Sequence, residues 1–415
     1  MNDIKELRKE IARDLQIKKF CLYGFLKNLK FFEPYLIIFL MSNQISLFQI
    51  GILIAVREVI VNVFEIPSGL IADYFGRKKE MYLCFGFYIV SFVMFFFVEN
   101  FTIAIFGMIF FGLGEAFRSG THKAMIYTYL DKQNWQKEKT FVYGRTRSFS
   151  LIGSAVSSSL GIAIILIVPA DSYIFLCSTI PYILDLILII SYPKYLDSAD
   201  KNQENNFKKM TKELVNSFRT DKKLRNILIE EGISEASFSY SKDLIQPIFE
   251  LIIVGSGIAI ITSLSYEDNL KIILGLVYAV LSLSGSYFSK KAYLIRDKKS
   301  GMECLYIVHI AYVGLYALLA FFSGQYLLVF AIYILIYAVH NIRKPIFVDE
   351  IDNNIGKATR ATVLSAAAQL KSLTLVIMAP TLGYVADTYG MIWAVLLLSA
   401  IFAVTTKLLK ANRQV

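Results

Sequence analysis

The chain has 415 residues, of which 56% are hydrophobic, and its mean hydropathy is +0.53. Ordinary soluble domains are about 45–50% apolar, so this composition excludes a typical soluble protein. The net charge of +10 would suit a nucleic-acid-binding protein. The basic residues, however, stand between apolar runs, so no nucleic acid is expected as a partner.

The apolar residues fall in runs of about 20, the length with which a helix crosses roughly 30 Å of hydrocarbon. These runs lack the alternation of polar and apolar residues that is typical of membrane barrels. We therefore predict an all-α membrane protein that lies in a lipid bilayer and has twelve transmembrane helices. In chain order the predicted spans are 21–41, 47–72, 80–98, 101–128, 146–168, 172–192, 226–249, 267–289, 302–322, 325–346, 361–380 and 390–409.

Lys and Arg collect in alternate segments along the chain, and these segments hold 35 of the 43 basic residues. Segments with this excess stay on the cytoplasmic side of a membrane. We predict a multi-pass protein of the inner or plasma membrane with both termini in the cytoplasm. The abundance of Ile, Lys, Phe and Tyr is typical of an AT-rich bacterial genome.

A polar segment at 193–225, with nine basic residues, divides the spans into two sets of six. We interpret it as a cytoplasmic linker between an N-terminal six-helix bundle, 1–192, and a C-terminal six-helix bundle, 226–415. Residues 1–19 place apolar side chains on one helical face among basic ones, which predicts an amphipathic helix on the inner membrane surface. The apolar segment 250–265 is predicted to be an outer connection.

The connection after span 2 reads Gly69-Leu-Ile-Ala-Asp73-Tyr-Phe-Gly76-Arg77-Lys-Lys79. Gly69 would let a neighbouring helix approach closely, and Gly76 permits a tight turn. Asp73 is an acceptor at the inner mouth, able to engage an Arg or a helix N-terminus. The segment resembles the signature of the major facilitator superfamily, Gly-x-Leu-Ala-Asp-x-x-Gly-Arg followed by Arg or Lys.

This resemblance covers essentially the whole chain and points to a bacterial subgroup of uncharacterised and efflux-type members. It implies two six-helix bundles around a central cavity, lined mainly by spans 1, 4, 7 and 10, that opens to alternate sides of the membrane. It also implies an inner gate built on the signature, in which Asp73 contacts the start of span 11 near Ala361 and Thr362, with Arg145 as a partner. Gly69, Gly76, Arg77 and Arg360 belong to the same gate.

Ionisable residues at membrane depth are costly and usually face a cavity or a partner. In span 4, Glu115, Arg118 and His122 share one helical face. They form either an internal ion-pair network or a cavity-lining site, in which His122 is of interest because imidazole titrates near physiological pH. In span 7, Glu231 and Glu235 share a face, and they either carry a proton or pair with basic residues of another helix.

Several other polar residues are candidates for the same substrate and proton cavity. They are Glu33 in span 1, Tyr333, Tyr337 and His340 on one face of span 10, and Lys371 in the middle of span 11. Arg343 is interpreted instead as an anchor near the inner mouth. The mixture of positive and negative candidates favours a zwitterionic or amphipathic organic solute.

These features predict a secondary active transporter that moves a small organic solute, is coupled to the proton gradient, is directed outward and acts as a monomer. The chain has no Walker phosphate loop and no hydrolase motif, so neither an enzyme nor a cofactor is expected. Its four cysteines lie singly on different spans and predict no metal site. The alternatives are a lipid or lysolipid flippase of the same fold, or a sensor that binds solute without moving it.

Overall fold

The protein is almost entirely helical wherever its structure is described. A computed structural model describes residues 2–118, 120–197, 222–256, 261–290, 300–354 and 360–413, and no strand occurs in these ranges. Most of the predicted linker, 198–221, and part of the predicted outer connection, 257–260, lie outside the described residues. The chain divides into two compact units.

The first unit contains Met1–Phe39 and Val59–Lys201. Its core is aromatic: Phe95 stacks on Phe175 with ring centroids 5.2 Å apart, and both side chains are buried. Its helices are α1 (Asn2–Arg13), α2 (Leu15–Leu26), part of α3 (Leu36–Ser42), part of α4 (Leu47–Phe75), α5 (Arg77–Phe96), α6 (Phe101–Arg118), α7 (Thr121–Lys132), α8 (Lys139–Ile167) and α9 (Tyr173–Ile190), with 3-10 turns at Gln136–Glu138 and Lys194–Asp197.

The second unit contains Leu40–Glu58 and Asn202–Val415. Its core also includes stacked aromatic rings, since Tyr312 lies on Phe402 with centroids 4.4 Å apart. Besides the remaining parts of α3 and α4, its helices are α10 (Lys222–Ser256), α11 (Tyr266–Lys290), α12 (Gly301–Phe321), α13 (Tyr326–Asn354), α14 (Arg360–Tyr389) and α15 (Met391–Arg413).

Eight of the described helices are long and apolar enough to cross a membrane, judged by length and composition alone. Four predicted spans fall outside this set. Span 1 is interrupted, spans 7 and 11 carry charged residues such as Glu231 and Lys371, and the apolar part of α15, Met391–Lys407, is shorter. All four are nevertheless helical over most of their described residues.

The predicted span 1, 21–41, is two helices, α2 and α3, rather than one. The segment between them contains Pro34, which has no N–H to donate and disfavours a continuous helix. The side-chain amide of Asn28 donates to the carbonyl of Gly24 (2.6 Å), which satisfies an acceptor at the end of α2. The break places polar residues of this span outside regular helix.

The predicted amphipathic helix at 1–19 is also divided. The first part, α1, ends at Arg13. The next residue is Asp14, whose carboxylate accepts a hydrogen bond from the N–H of Ile17 (2.8 Å) and thereby caps α2. Helix α1 is tied to the rest of the first unit by Arg8, which pairs with Glu138 at 2.8 Å. The capping aspartate is the local reason why one predicted helix becomes two.

Helix α10 continues past the predicted end of span 7. Residues 250–256 are helical, although we predicted them as part of the outer connection 250–265. Pro247 lies inside the helix without ending it. Proline is tolerated in membrane helices where neighbouring groups satisfy the freed backbone, and α10 packs against both α14 and α15.

Glycines allow close helix contacts in both units. In the second unit, a Cβ on Gly51 of α4 would clash with the backbone of Ala379 in α14, and a Cβ on Gly383 would lie 2.7 Å from the carbonyl carbon of Leu47. In the first unit, Gly153 of α8 lies similarly against the backbone of α2. Small residues commonly bring membrane helices together in this way, because lipid supplies no hydrophobic force between them.

We expect Gly51→Ala and Gly383→Ala each to lower the thermal midpoint of the purified protein in detergent. Forcing a methyl group into packed backbone typically costs about 1–3 kcal/mol. The matched control is Gly314→Ala in the same unit, because a Cβ there would meet no atom of the described residues within 4 Å. Midpoints for the first two variants that equal that of the control would contradict the tight crossing of α4 and α14.

Candidate functional site

The first unit contains an ion-pair network centred on Glu115. Its carboxylate lies 2.6 Å from Nη2 of Arg118, one turn along α6, and 3.4 Å from Nζ of Lys30. The hydroxyl of Tyr88 donates to the same carboxylate at 2.7 Å. The predicted neighbours Glu115 and Arg118 are therefore brought together, and Tyr88 completes a set of three donors around one carboxylate.

His122, the third predicted member of this face, has different partners. Its ring stacks on that of Tyr23 with centroids 3.5 Å apart, and its Nε2 lies 3.1 Å from the hydroxyl of Tyr192. The side chain is buried. A break at Gly120, whose φ is +82°, separates α7 from α6 and moves His122 out of the register of one continuous helix.

A cavity of about 230 Å³ opens beside His122 in the first unit. Residues of α2, α7 and α8 form its walls, together with Arg118 at the end of α6. The basic side chains that line it are Lys27, Arg118, Lys123 and Arg147. Arg118 thus belongs both to the ion-pair network and to the cavity wall, the two interpretations that the sequence left open.

In the second unit, three carboxylates of α10 converge on one guanidinium. Arg343 of α13 is fully buried and pairs with Glu230 at 3.2 Å, with Glu231, and with Glu235 at 2.8 Å. We predicted Arg343 as an anchor near the inner mouth, and the structure corrects this. Helix α10 thus turns these glutamates toward α13, where the arginine meets them. Lys344 supplies a second cation to Glu235 at 3.3 Å.

Two histidines flank this cluster. Nε2 of His309, on α12, lies 3.0 Å from Oε1 of Glu230. Nε2 of His340 lies 3.6 Å from Oε1 of Glu235, and the His340 ring stacks on Phe238 with centroids 3.5 Å apart. Six ionisable side chains besides Lys344 therefore meet in one buried region: Arg343, Glu230, Glu231, Glu235, His309 and His340.

Lys371 lies near a third group of charges in the second unit. The carboxylate of Glu58 is held by Arg57 at 2.8 Å and by the hydroxyl of Ser372 at 2.5 Å. Lys371 lies within electrostatic range of both Glu58 and Glu235. Two carboxylates therefore lie near Lys371, for which we predict a partner or a wet face at mid-span.

The remaining cavity candidates are distributed more widely. The buried hydroxyl of Tyr333 donates to the carbonyl of Ser241 at 3.3 Å, as a packing residue would. Tyr337 packs on Phe238, beside His340, with centroids 5.0 Å apart. Glu33 lies in the turn between α2 and α3 and is half-buried.

The signature loop is anchored within the first unit. Gly76 has φ +101°, and a Cβ there would approach Oδ1 of Asp197 to 2.5 Å. This agrees with the tight turn expected of Gly76. The same carboxylate oxygen accepts from the N–H of Lys78 at 2.7 Å, and Nη1 of Arg77 donates to the Thr128 hydroxyl at 2.7 Å. The loop is thus fixed by α7 and by the 3-10 turn after α9.

Other gate residues are less well defined. A Cβ on Gly69 would meet nothing within 4 Å among the described residues, so the expected close helix approach is not observed there. The Arg145 guanidinium lies over the Phe149 ring at 5.9 Å. The side chains of Asp73 and Arg360 lie outside the described part of the chain, so the predicted contact of Asp73 with the start of span 11 stays a prediction.

Sequence reasoning missed several buried ionisable residues, among them Glu230, His309 and Asp185. Glu230 and His309 belong to the Arg343 cluster, and Asp185 of α9 is fully buried in the first unit. Neither carboxylate oxygen of Asp185 has a hydrogen-bond partner among the described residues. Asp185 and His309 each stand alone in an otherwise apolar span, and that isolation is the signal that would have identified them.

Comparison with known proteins identifies relatives along most of the chain. The family model described as Major Facilitator Superfamily matches residues 20–373. The chain is 31% identical over 129 residues to YxaM, an uncharacterized MFS-type transporter of Bacillus subtilis (strain 168). That alignment covers 31% of this chain and 32% of the relative, so the chain spans about a third of that protein's length.

The fold is similar to those of solved transporters. The crystal structure of the nucleoside transporter NupG matches with a TM-score of 0.80 at 11% identity, over 97% of this chain and 100% of that chain. A bacterial homolog of the human lysosomal transporter Spinster, in an inward-facing and occupied conformation, matches with a TM-score of 0.75 at 12% identity, over 97% of each chain. These likenesses confirm the predicted fold class.

We expect Arg343→Gln to destabilise the second unit strongly, because it leaves three buried carboxylates without their shared cation. Breaking a buried ion pair by removing one partner costs about 3–5 kcal/mol. The measurement is the temperature at which heated protein in detergent loses its monodisperse peak in fluorescence-detected size-exclusion chromatography.

The control for this variant is Lys344→Gln, which removes the same charge from a side chain that is 56% exposed. Exposed pairs contribute at most about 1 kcal/mol, so a small shift is expected. Adding Glu231→Gln to Arg343→Gln should recover part of the loss, because one fewer carboxylate is left unpaired. Equal midpoints for Arg343→Gln and Lys344→Gln would refute the assignment of Arg343 as the centre of the cluster.

Proposed function

Because the chain belongs to the major facilitator superfamily, we propose that it is a secondary active transporter that carries a small organic solute across the cytoplasmic membrane by alternating access. We further propose that it is coupled to protons and directed outward. A multi-pass membrane carrier of this family is not an enzyme, and such carriers generally need no cofactor.

The charge balance of the Arg343 cluster is the observation that supports proton coupling. Counted at ion-pair distance, Glu230, Glu231 and Glu235 bring three negative charges into a buried region, whereas Arg343 and the half-exposed Lys344 bring two positive charges. Lys371 lies near Glu235 as well, but it is shared with Glu58. A buried network of this kind is stable only when its charges are matched and its hydrogen bonds are satisfied. One additional proton would make the numbers of positive and negative charges equal.

His309 is the neighbour best placed to share that proton. Its Nε2 lies 3.0 Å from Glu230, and both side chains are fully buried. The hydroxyl of Ser234 lies 2.9 Å from the same nitrogen and 3.0 Å from Oε1 of Glu230. A proton can move between imidazole and carboxylate at this distance, and its loss would unbalance the cluster and bias a change of conformation.

This geometry changes the roles of the predicted proton carriers. Glu235 remains in the proposed site, since it shares Arg343 with Glu231. Glu115 is held by three donors, and we assign it a structural ion pair. His122 lines a cavity rich in positive charge, and we assign it to solute binding rather than to proton transfer.

Export and the inner gate are retained as parts of the proposal. The direction is suggested by the resemblance of the chain to efflux-type members, and the gate by the signature around Asp73. The fixed turn at Gly76 and the contact of Arg77 with α7 support a loop that is held rigidly in the first unit. A loop held in this way could present Asp73 in the same position each time the inner gate closes.

Proton coupling is tested by separating exchange from accumulation in proteoliposomes. Nucleosides and their monophosphates, amino acids and sugars are first screened for a solute that raises the thermal midpoint of the protein, since a ligand stabilises the state that binds it. For that solute, counterflow reports exchange, and a pH-sensitive dye inside the vesicles reports proton movement. We expect Glu230→Gln to keep counterflow and to lose accumulation driven by a pH gradient.

The control is Glu267→Gln, an exposed carboxylate at the start of α11 in the same unit, which should leave both measurements unchanged. Undiminished pH-driven accumulation in Glu230→Gln would contradict the proposed proton site. A solute that binds but shows no counterflow would instead identify a sensor.

A further inference from the structure

We propose that the cavity of the first unit binds an anionic group, a phosphate or a carboxylate, and that the transported solute supplies it. This inference rests on the proposed transport function and names the class of its substrate. The cavity is the one lined by α2, α7 and α8 with Arg118 at its wall.

The lining of the cavity carries charge of one sign. Its basic side chains are Lys27, Arg118, Lys123 and Arg147, and no Asp or Glu is among the described residues that line it. Like charges around a small space of low dielectric repel one another and raise the local concentration of anions. Such a lining is favourable only when a negative group neutralises it.

The protein's own carboxylates neutralise only part of this charge. Glu115 pairs with Arg118, but it is shared with Lys30. Lys27 forms no ion pair with a described carboxylate; its Nζ lies 5.7 Å from the centroid of the Tyr23 ring, and Glu115 and Asp185 lie within electrostatic range of it. At least one deep cation of the cavity is therefore available to a ligand.

The depth of the cations separates this site from an ordinary basic loop. Lys123 and Arg147 are exposed, and the preference for positive charge on the cytoplasmic side would explain these two. Lys27, however, lies about 9 Å along the helix axis from residue 21, where predicted span 1 begins. A lysine inside a span needs a partner or a wet face, so the preference for cytoplasmic positive charge does not by itself account for it.

The volume indicates how much of a solute the cavity holds. Pockets for drug-sized ligands measure roughly 300–1,000 Å³, whereas this cavity measures about 230 Å³. A charged head group fits that space better than a whole solute does. Exposed Arg147 and Lys123 would draw the anion in, and Lys27 and Arg118 would hold it.

The test compares matched pairs of probes that differ in charge. Adenosine monophosphate is set against adenosine, glucose 6-phosphate against glucose, and benzoate against benzyl alcohol, with inorganic phosphate as the simplest anion. Thermal midpoints are measured in detergent free of phospholipid, and again in nanodiscs of phosphatidylcholine with and without phosphatidylglycerol. We expect an anionic member, but not its neutral parent, to stabilise the protein.

Two variants locate the site. Lys27→Gln and Arg147→Gln should each weaken the apparent affinity for the stabilising anion by about tenfold or more, because each removes a charged contact. Lys137→Gln is the charge-matched control, since this exposed residue of the first unit lies outside the cavity. Size-exclusion profiles and midpoints without ligand show whether each variant is folded.

Each outcome decides the inference. Stabilisation by phosphatidylglycerol alone, lost in Lys27→Gln, would support the anion site with a lipid head group as the source. Equal effects of charged and neutral probes, equal losses in Lys27→Gln and Lys137→Gln, or no stabilisation by any anion would overturn it. If only neutral solutes bind and exchange, transport is supported and the anion site is refuted. If anions bind at Lys27 but never exchange, the anion site is supported and transport is refuted.

Discussion

The cost of burying charge away from water is the constraint on which the rest of this structure depends. A lone ion in such a place costs several kcal/mol, so it persists only among partners. Arg343 shows the result most clearly: the guanidinium is fully buried, and three carboxylates of a neighbouring helix surround it. The same constraint brings Lys30 and Arg118 to Glu115 in the first unit.

Helix packing follows from the same need. Helices that carry these charges are the ones whose composition is least like that of a lipid-facing span, as α10 and α14 show. They must lie against other helices, and glycine makes this approach close: a Cβ on Gly232 of α10 would lie 2.9 Å from Cβ of Leu370 in α14. That contact lies beside Lys371 and Glu235. The crossing of α10 and α14 therefore both packs the two helices and brings opposite charges near each other.

Much of this arrangement could be predicted from sequence, because hydrophobic length and helical periodicity are local properties. They gave the all-α class and placed Glu115 beside Arg118. Tertiary facts were not accessible in the same way. The break in span 1 depends on Asn28 and Pro34 acting together, and the burial of Arg343 depends on which face of α10 meets α13. Which of the adjacent residues Glu230 and Glu231 faces a cation could not be predicted without knowing the position of Arg343.

The two units solve the problem of buried charge with opposite excesses. In the second unit, carboxylates outnumber the fixed cations of the Arg343 cluster, and a proton is the smallest ion that restores neutrality. In the first unit, cations outnumber the carboxylates around the cavity, and no proton can neutralise them, because binding a proton only adds positive charge. An anion must do so instead. The ion that each unit lacks is therefore different, and a carrier that exchanges an anionic solute for protons would bind both ions in turn.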